Sequence, residues 1–240
     1  VIKAVRDAAP GIHIHAFSPL EVTHGATTLG LSLEDYLTRL RDAGLSTLPG
    51  TAAEILDDEI RDIIGPDKRK TQEGCEVRRT AHRVGLRTTA TIMYGHVEGY
   101  RHWARHLLRV RDLQVETGGF TEFVPLPFVH MEAPIWRKGR SRSGPSFRET
   151  ILMHAVARLV LNPVIVNIQA SWVKLGATGI AAALRAGVND LGGTLMDESI
   201  TRAAGGLNGQ LCDPAQMADF AEEAGRHSVQ RTTLYGRVAD

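Results

Sequence analysis

Ten histidines stand in this chain of 240 residues, and several fall at spacings that suit metal or proton chemistry. The stretch TIMYGHVEGYRHWARH, residues 91–106, holds three of them. His102 and His106 are four apart, which places them on one face of a helix. His13 and His15 are two apart, which places both on one face of a strand. Joined by His96, His130 and Asp190, that pair would make a divalent-metal site able to lower the pKa of a bound water and so generate a nucleophile. His102 and His106 fit such a site less well. Trp103, Leu107 and Val110 make an apolar helical stripe, and the two histidines lie beside it with Arg105 and Arg109. Neighbouring arginines disfavour a bound cation, so both are expected to be helix-surface scaffold.

The elements that must position these residues follow one recurring unit. An amphipathic helix ends in glycine and passes into a short β-rich run. The unit appears as LEDYLTRLRDAG before LSTLPG, CEVRRTAHRVG before LRTTATIMYG, and WARHLLRVRDLQVETGG before FTEFVPLP. It returns as IAAALRAG before VNDLGGT and MADFAEEAG before RHSVQRTTLY. Glycine suits the left-handed helix C-cap, having no Cβ to clash. Strands are predicted near residues 12–17, 45–48, 87–93, 121–124, 164–170 and 188–191, with an appended strand near 228–234. Alternation of helix and strand implies a parallel sheet with helical crossovers. No GxGxxG or GxxxxGK[ST] occurs, so a nucleotide-binding doubly wound sheet has little support. About six units point instead to a (β/α) barrel, which typically has eight in about 250 residues. The opening VIKAVRDAAPG reads as the tail of a crossover helix. The expected fold class is α/β: residues 1–240 as a single, partial TIM-type barrel domain, about strands 3–8 plus an extension, with the first two strands missing.

In such a barrel the chemistry sits at the C-terminal strand ends, and polar residues collect there. HIHAFSP offers His13, His15 and Ser18; PGTAAEI offers Gly50, Thr51 and Glu54; MYGH offers Tyr94 and His96. PLPFVH ends in His130, NIQASWVKLG carries Gln169, Ser171, Trp172 and Lys174, and NDLGGTLMDESI carries Asn189, Asp190, Thr194 and Glu198. Each has a plainer reading: a histidine held by a carbonyl, a glycine marking a turn, Trp172 as core, Asp190 as a cap. Repetition at nearly every strand end is what carries weight. The zinc-hydrolase alternative needs the other ligands on the fifth, sixth and eighth strands of a barrel opened by His-x-His. Here they fall on the third, fourth and sixth visible strands.

An apolar fraction of 43% and a charged fraction of 23% are those of an ordinary soluble globular protein. A net charge of +1 gives no reason to expect nucleic acid, and no apolar run approaches the ~20 residues of a membrane span. Two cysteines, Cys75 and Cys212, make no disulfide framework, and a cytoplasmic location is the simplest expectation.

Taken in order, HIHAFSPLEV, AGLSTLPGTAAEIL, TIMYGHVE, GGFTEFVPLPFVH, NIQASWVKLG and NDLGGTLMDESITRAAG resemble radical S-adenosylmethionine (SAM) enzymes of the FO synthase type, from about Gly11 to Tyr235. Both the separate tyrosine 4-hydroxyphenyl transferase subunit and the C-terminal half of the fused enzyme are similar. The menaquinone-pathway members, aminofutalosine synthase and futalosine cyclase, share several motifs but tend to carry PGGGAEI where this chain has PGTAAEI. The resemblance implies a 4Fe–4S cluster held by C-x3-C-x2-C, SAM on its open iron, and a 5′-deoxyadenosyl radical that activates L-tyrosine. The 4-hydroxybenzyl group then joins 5-amino-6-(D-ribitylamino)uracil, on the way to the chromophore of coenzyme F-420. Implied partners are these two substrates, the partner FO synthase subunit or domain and an electron donor. The chain departs from the pattern in having no C-x3-C-x2-C, so no metal ligand is assigned, and the piece alone is expected to be inactive. A truncated barrel that binds without catalysis is the non-enzymatic alternative. For SAM the resemblance implies Gly50, Thr51, Glu54, Tyr94 and His96. For the substrates it leaves His15, Ser18, His130, Gln169, Ser171, Trp172, Asn189, Asp190 and Thr194.

Overall fold

The computed structural model describes residues 1–50, 55–65 and 70–238. Helices α1 (Ile2–Ala8), α2 (Pro19–Leu29) and α3 (Leu33–Asp42) precede strand β1 (Thr47–Leu48). Helices α4 (Asp58–Ile64) and α5 (Thr71–Arg83) precede β2 (Arg87–Tyr94), and α6 (Tyr100–Thr117) precedes β3 (Phe120–Pro127). Helices α7 (Pro134–Arg137), α8 (Phe147–Leu161), α9 (Trp172–Arg185), α10 (Ile200–Ala203) and α11 (Pro214–Glu223) follow. Among the described residues, no helix is long and apolar enough to cross a membrane.

The sheet is parallel in the order β1–β2–β3, as alternating helices and strands require. Register runs from Thr47 opposite Arg87 to Tyr94 opposite Pro127, with one irregularity between Thr88 and Ala90. Single parallel bridges continue the same progression on both sides: His15 with Thr47, Phe123 with Ile168, and Gln169 with Asp190. Six chain segments thus lie side by side in sequence order. The glycines predicted to end the helices at 44, 85, 118, 187 and 225 all have positive φ. At Gly118, φ is 63° and the amide closes α6 on the Gln114 carbonyl at 2.8 Å, a conformation costly for any residue with a Cβ.

Side-chain amides stitch the sheet where backbone pairing is thin. Gln114 on α6 donates to the Phe120 and Val164 carbonyls and accepts from the Phe120 amide. Asn167 donates to the Thr121 carbonyl, and Asn189 accepts from the Ile168 amide. The predicted strands at 164–170 and 188–191 are therefore extended segments tied by isolated parallel bridges and by these side chains. Residues 228–234 do not join the sheet. Arg231 pairs antiparallel with Arg237 across a turn of their own.

The two faces of the sheet differ in chemistry. Ala90, Ile92, Tyr94, Phe120, Phe123, Ile168 and Ala170 belong to the apolar cluster that includes Trp103, Leu107 and Met153 of the helices. Ile14 and Leu48 belong to a second cluster with Val22, Leu37 and Val77. Alternation sends the intervening residues to the opposite face: His13, His15, Thr47, Thr89, Thr91, Glu122 and Gln169. The helix side is a hydrocarbon core, and the inner side mixes these polar groups with Met93, Val124 and Leu126.

His102 and His106 lie in the core, which corrects the surface placement expected from the helical wheel: they are 6% and 1% exposed. The apolar stripe of α6 is wider than Trp103, Leu107 and Val110, because the backbone after residue 54 folds over it and needs an acceptor. The Leu56 amide donates to His106 Nδ1 at 2.9 Å, so the neutral ring carries its proton on Nε2. Burial, then the charges of Arg78, Arg109 and Arg61, hold the His106 pKa down to about 3. His82, between Thr117 and Thr88, is held down to about 4, chiefly by burial. An unfolded histidine titrates near 6.5. Below that pH the unfolded chain takes up protons that the folded chain refuses, so stability falls as pH drops from about 6.5 toward 4. Each such group contributes a slope approaching about 1.4 kcal/mol per pH unit. Urea midpoints measured across this range should fall steeply for the parent chain and less steeply for His82→Gln.

Candidate functional site

The C-terminal end of β2 is built around a carboxylate that the sequence motifs did not single out. Glu98 has a fully buried side chain. It accepts from the Gly95 amide at 2.5 Å, the His96 amide at 3.0 Å, the Val97 amide at 3.1 Å and the Trp103 indole at 2.9 Å. Burial alone would raise its pKa; His96 and these donors outweigh that and hold it below the usual carboxylate range. The MYGHVE turn is therefore folded around its own anion. Gly95, at φ 94°, lies so close to Pro145 that a Cβ would fall 2.3 Å from its Cδ. The Arg142 amide donates to the His96 carbonyl, so residues 142–145 lie across this strand end.

These contacts decide several of the predicted roles. His96 is buried, with Nε2 3.1 Å from the Met93 carbonyl and Nδ1 accepting from the Val97 amide. Tyr94 points to the helix side, where its ring meets Trp103 edge-on at 5.4 Å, and burial pushes its phenol pKa up. It lies on the face away from the polar chamber, contrary to the expectation that it lines a SAM pocket. Gly50 gives its amide to Thr89 Oγ1 and its carbonyl to Thr91 Oγ1 and Arg78. A Cβ there would lie 2.6 Å from the Thr89 carbonyl oxygen. Its smallness serves contact with β2. Thr51 and Glu54 lie outside the described residues.

On the substrate list, Ser18 is the N-cap of α2, in a reciprocal capping box with Glu21. Asn189 is the sheet stitch described above and also accepts from Arg158. Trp172 is 4% exposed, sits in the apolar cluster and donates to the Gly193 carbonyl. Each of the three thus has a local structural partner. His15 stays exposed at the first segment, its Nδ1 2.7 Å from Thr47 Oγ1, the same hydroxyl that His13 Nε2 meets at 2.7 Å. The same-face reading of His13-x-His15 holds. Gln169 is half-buried on the polar face beside Gly192, Ser171 follows at the strand end, and Thr194 is exposed. His130 is half-buried against Trp136, ring centroids 4.8 Å apart.

Asp190 is held from three sides. Its Oδ2 accepts from Arg231 at 2.6 Å and from the Tyr235 hydroxyl, and its Oδ1 accepts from the Gly192 amide at 2.8 Å. That use, with His96 locked in its turn, separates the five candidates of the zinc-hydrolase reading. Among the described residues the one group of potential ligands within reach of a single ion is Asp57, Glu59 and His102. It is an ion-pair network: Arg105 and Arg109 face Asp57, Arg101 and Arg105 face Glu59, and His102 Nδ1 accepts from the Gly99 amide, which leaves Nε2 as the ring's N–H, 3.4 Å from Glu59 Oε2. Cys75 and Cys212 are both buried, on α5 and beside Leu195, and desolvation raises both thiols. Two thiols on separate elements do not fit the converging thiolates of an iron–sulfur cluster.

Comparison with known proteins places this geometry. A family model described as the CofH/MqnC C-terminal region matches residues 117–239. FO synthase of Nocardia farcinica is 52% identical over 99% of this chain, and that of Mycobacterium tuberculosis (strain CDC 1551 / Oshkosh) is 50% identical over 100% of this chain. The 5-amino-6-(D-ribitylamino)uracil–L-tyrosine 4-hydroxyphenyl transferase of Methanopyrus kandleri is 49% identical over 99% of the chain. The chain spans 28% of each of those FO synthases and 64% of the transferase. Among solved structures, methylornithine synthase (PylB) superposes over 95% of this chain and 62% of its own, with a TM-score of 0.64 at 17% identity, which is a likeness of fold.

Replacing Glu98 with Gln would put the amide nitrogen against two of the four donors, either the Gly95 amide and the Trp103 indole or the His96 and Val97 amides, and remove the charge they stabilise. The expected cost is about 2–3 kcal/mol, read as a lower urea midpoint together with a change in Trp103 emission.

Proposed function

This chain belongs to the CofH/MqnC family, and from that premise we propose that it forms part of a radical SAM enzyme of FO synthase type. The enzyme joins the 4-hydroxybenzyl group of L-tyrosine to 5-amino-6-(D-ribitylamino)uracil. The six parallel segments are read as an arc of a (β/α) barrel making up a single domain. The observation that carries the reading is the polar inner face. The interior of a (β/α) barrel is dominated by branched apolar side chains, whereas this sheet sets threonines, histidines, Gln169 and two carboxylates among its inward apolar residues. A phenol, an amino acid head and a ribityl chain bring many donors and acceptors, and burying them requires matching partners.

In this reading the chain's own residues bind, orient and exclude water. His15, Gln169, Ser171, His130 and Thr194 offer donors and acceptors at the strand ends. The Glu98 turn, covered by residues 142–145, keeps the mouth of the chamber rigid. Residues 50–54 are the segment assigned to SAM. The 4Fe–4S cluster and SAM supply the one-electron chemistry, with the cluster ligands lying outside this chain's two cysteines. A low-potential reductant and the partner FO synthase subunit or domain complete the pathway step. The FO synthase and transferase names of the relatives favour this substrate pair over the menaquinone-pathway alternative.

The test is anaerobic reconstitution of the complete enzyme that contains this chain, with SAM, a reductant, L-tyrosine and the diaminouracil. Mass spectrometry should find the 4-hydroxybenzyl adduct; SAM cleavage with neither tyrosine consumption nor adduct sinks the proposal. Gln169→Ala should lower adduct formation roughly 10- to 100-fold with the thermal midpoint within a few degrees of the parent. Activity equal to the parent would remove Gln169 from the site.

A further inference from the structure

The segment 228–238 makes its own short turn and yet sends two side chains to the polar face of the sheet. Arg231 and Tyr235 both reach Asp190 Oδ2. They also stack on each other, with the guanidinium carbon 4.0 Å from the Tyr235 ring centroid. Glu122, 7% exposed on the neighbouring strand, completes the group; burial raises its pKa, and Thr121, Arg231 and Tyr235 partly offset that rise. A cavity of about 300 Å³ beside Tyr235 is lined by Arg87, Phe120, Thr121 and the residues at 164–167. These residues begin β2, β3 and the next extended segment. The 228–238 segment therefore enters from the N-terminal side of the sheet, opposite the strand ends that carry the candidate site.

We propose that this segment is the floor of the substrate chamber, and that Arg231 and Tyr235 are positioning residues acting on the substrate-contacting strand ends through Asp190. The proposal rests on the enzymatic reading above. The chain of contacts is continuous. Arg231 and Tyr235 grip one oxygen of Asp190, and its other oxygen holds the Gly192 amide. Gly192, at φ 76°, is packed against the Gln169 side chain, whose Cδ would lie 3.2 Å from an added Cβ. The next carbonyl, of Gly193, accepts from the Trp172 indole. Trp172 begins α9, directly after Ser171. Displacing Arg231 thus moves the 190–193 turn, and with it Gln169 and the 171–172 junction. A positive charge is needed, since a neutral side chain would leave Asp190 buried and uncompensated.

The experiment uses the complete reconstituted enzyme carrying Arg231→Met, Arg231→Lys or Tyr235→Phe. Adduct formed per SAM cleaved should drop roughly 10- to 100-fold in Arg231→Met, with cleavage itself retained, and should recover largely in Arg231→Lys. Fluorine NMR of 5-fluorotryptophan-labelled protein, with Trp172 assigned through Trp172→Phe, supplies a readout independent of turnover. Arg231→Met should shift the Trp172 resonance and leave Trp103 and Trp136 in place. Equal shifts at all three would reduce Arg231 to general stability and overturn the proposal, as would an unmoved Trp172 or an unchanged coupling ratio. If Arg231→Met fails to fold, Tyr235→Phe must show the same selective Trp172 shift in milder form. If the parent enzyme makes no adduct, the transferase reading fails by itself, and the Trp172 response still decides whether the floor controls this turn.

Discussion

A parallel sheet has two faces, and here they are asked to do opposite things. The outward residues of β2 and β3 are apolar and sink into the helix layer. Their alternates include the polar Thr89, Thr91 and Glu122 beside Met93, Val124 and Leu126. A strand satisfies both demands only if its register is fixed, because a slip of one residue exchanges the faces. The side-chain stitches at Gln114, Asn167 and Asn189 fix it at the points where the backbone ladder shortens to single bridges. The two-faced sheet is thus the constraint from which the site, the helix packing and the closure of the floor all follow.

Burying polar groups next to such a sheet creates charges that must be matched locally. The structure answers with short, closed arrangements. Glu98 is wrapped by amides from its own turn, Asp190 by a guanidinium and a phenol, and Asp57 by two arginines from α6. Each carboxylate kept in the interior is given donors before solvent is excluded, as the cost of an unpaired buried charge demands. Histidines in the same regions are treated the other way. His106 and His82 are kept neutral by burial and used as plain acceptors and donors for backbone and hydroxyl groups.

The repeating helix–glycine–strand units were legible in the sequence because they rest on local rules: an apolar stripe, a residue without Cβ at the cap, a β-branched run. His13-x-His15 was legible for the same reason, since strand alternation alone puts both rings on Thr47. What stayed hidden depends on contacts between segments far apart in the chain. His102 and His106 read as surface residues until the backbone after residue 54 covers them. Ser18 and Asn189 read as substrate contacts because a side chain engaged with local backbone has the same composition as one offered to a ligand. Tyr94 was misassigned by parity: the strand runs one residue further than 93, and its last member falls on the helix side. Glu98, three residues from the nearest β-rich signal, looks like ordinary loop polarity until four donors converge on it. An S/T-x-x-E pattern such as SPLE at residues 18–21 did carry a readable signal for Ser18, the capping box.

The position of Arg231 follows from the same accounting. An inner face rich in carboxylates cannot be closed by a hydrophobic plug, because Asp190 and Glu122 would lose water and gain nothing. A plug with a guanidinium and a phenol satisfies Asp190 and offsets part of the rise that burial gives the Glu122 pKa. It also presents apolar ring surface to exclude water below the chamber. A floor of this kind does two jobs with one contact: it stabilises the polar face without ligand, and it holds the 190–193 turn where a ligand meets it. Chemistry that depends on orienting two reactants, and not on a protein-borne nucleophile, needs that rigidity more than it needs any further reactive side chain.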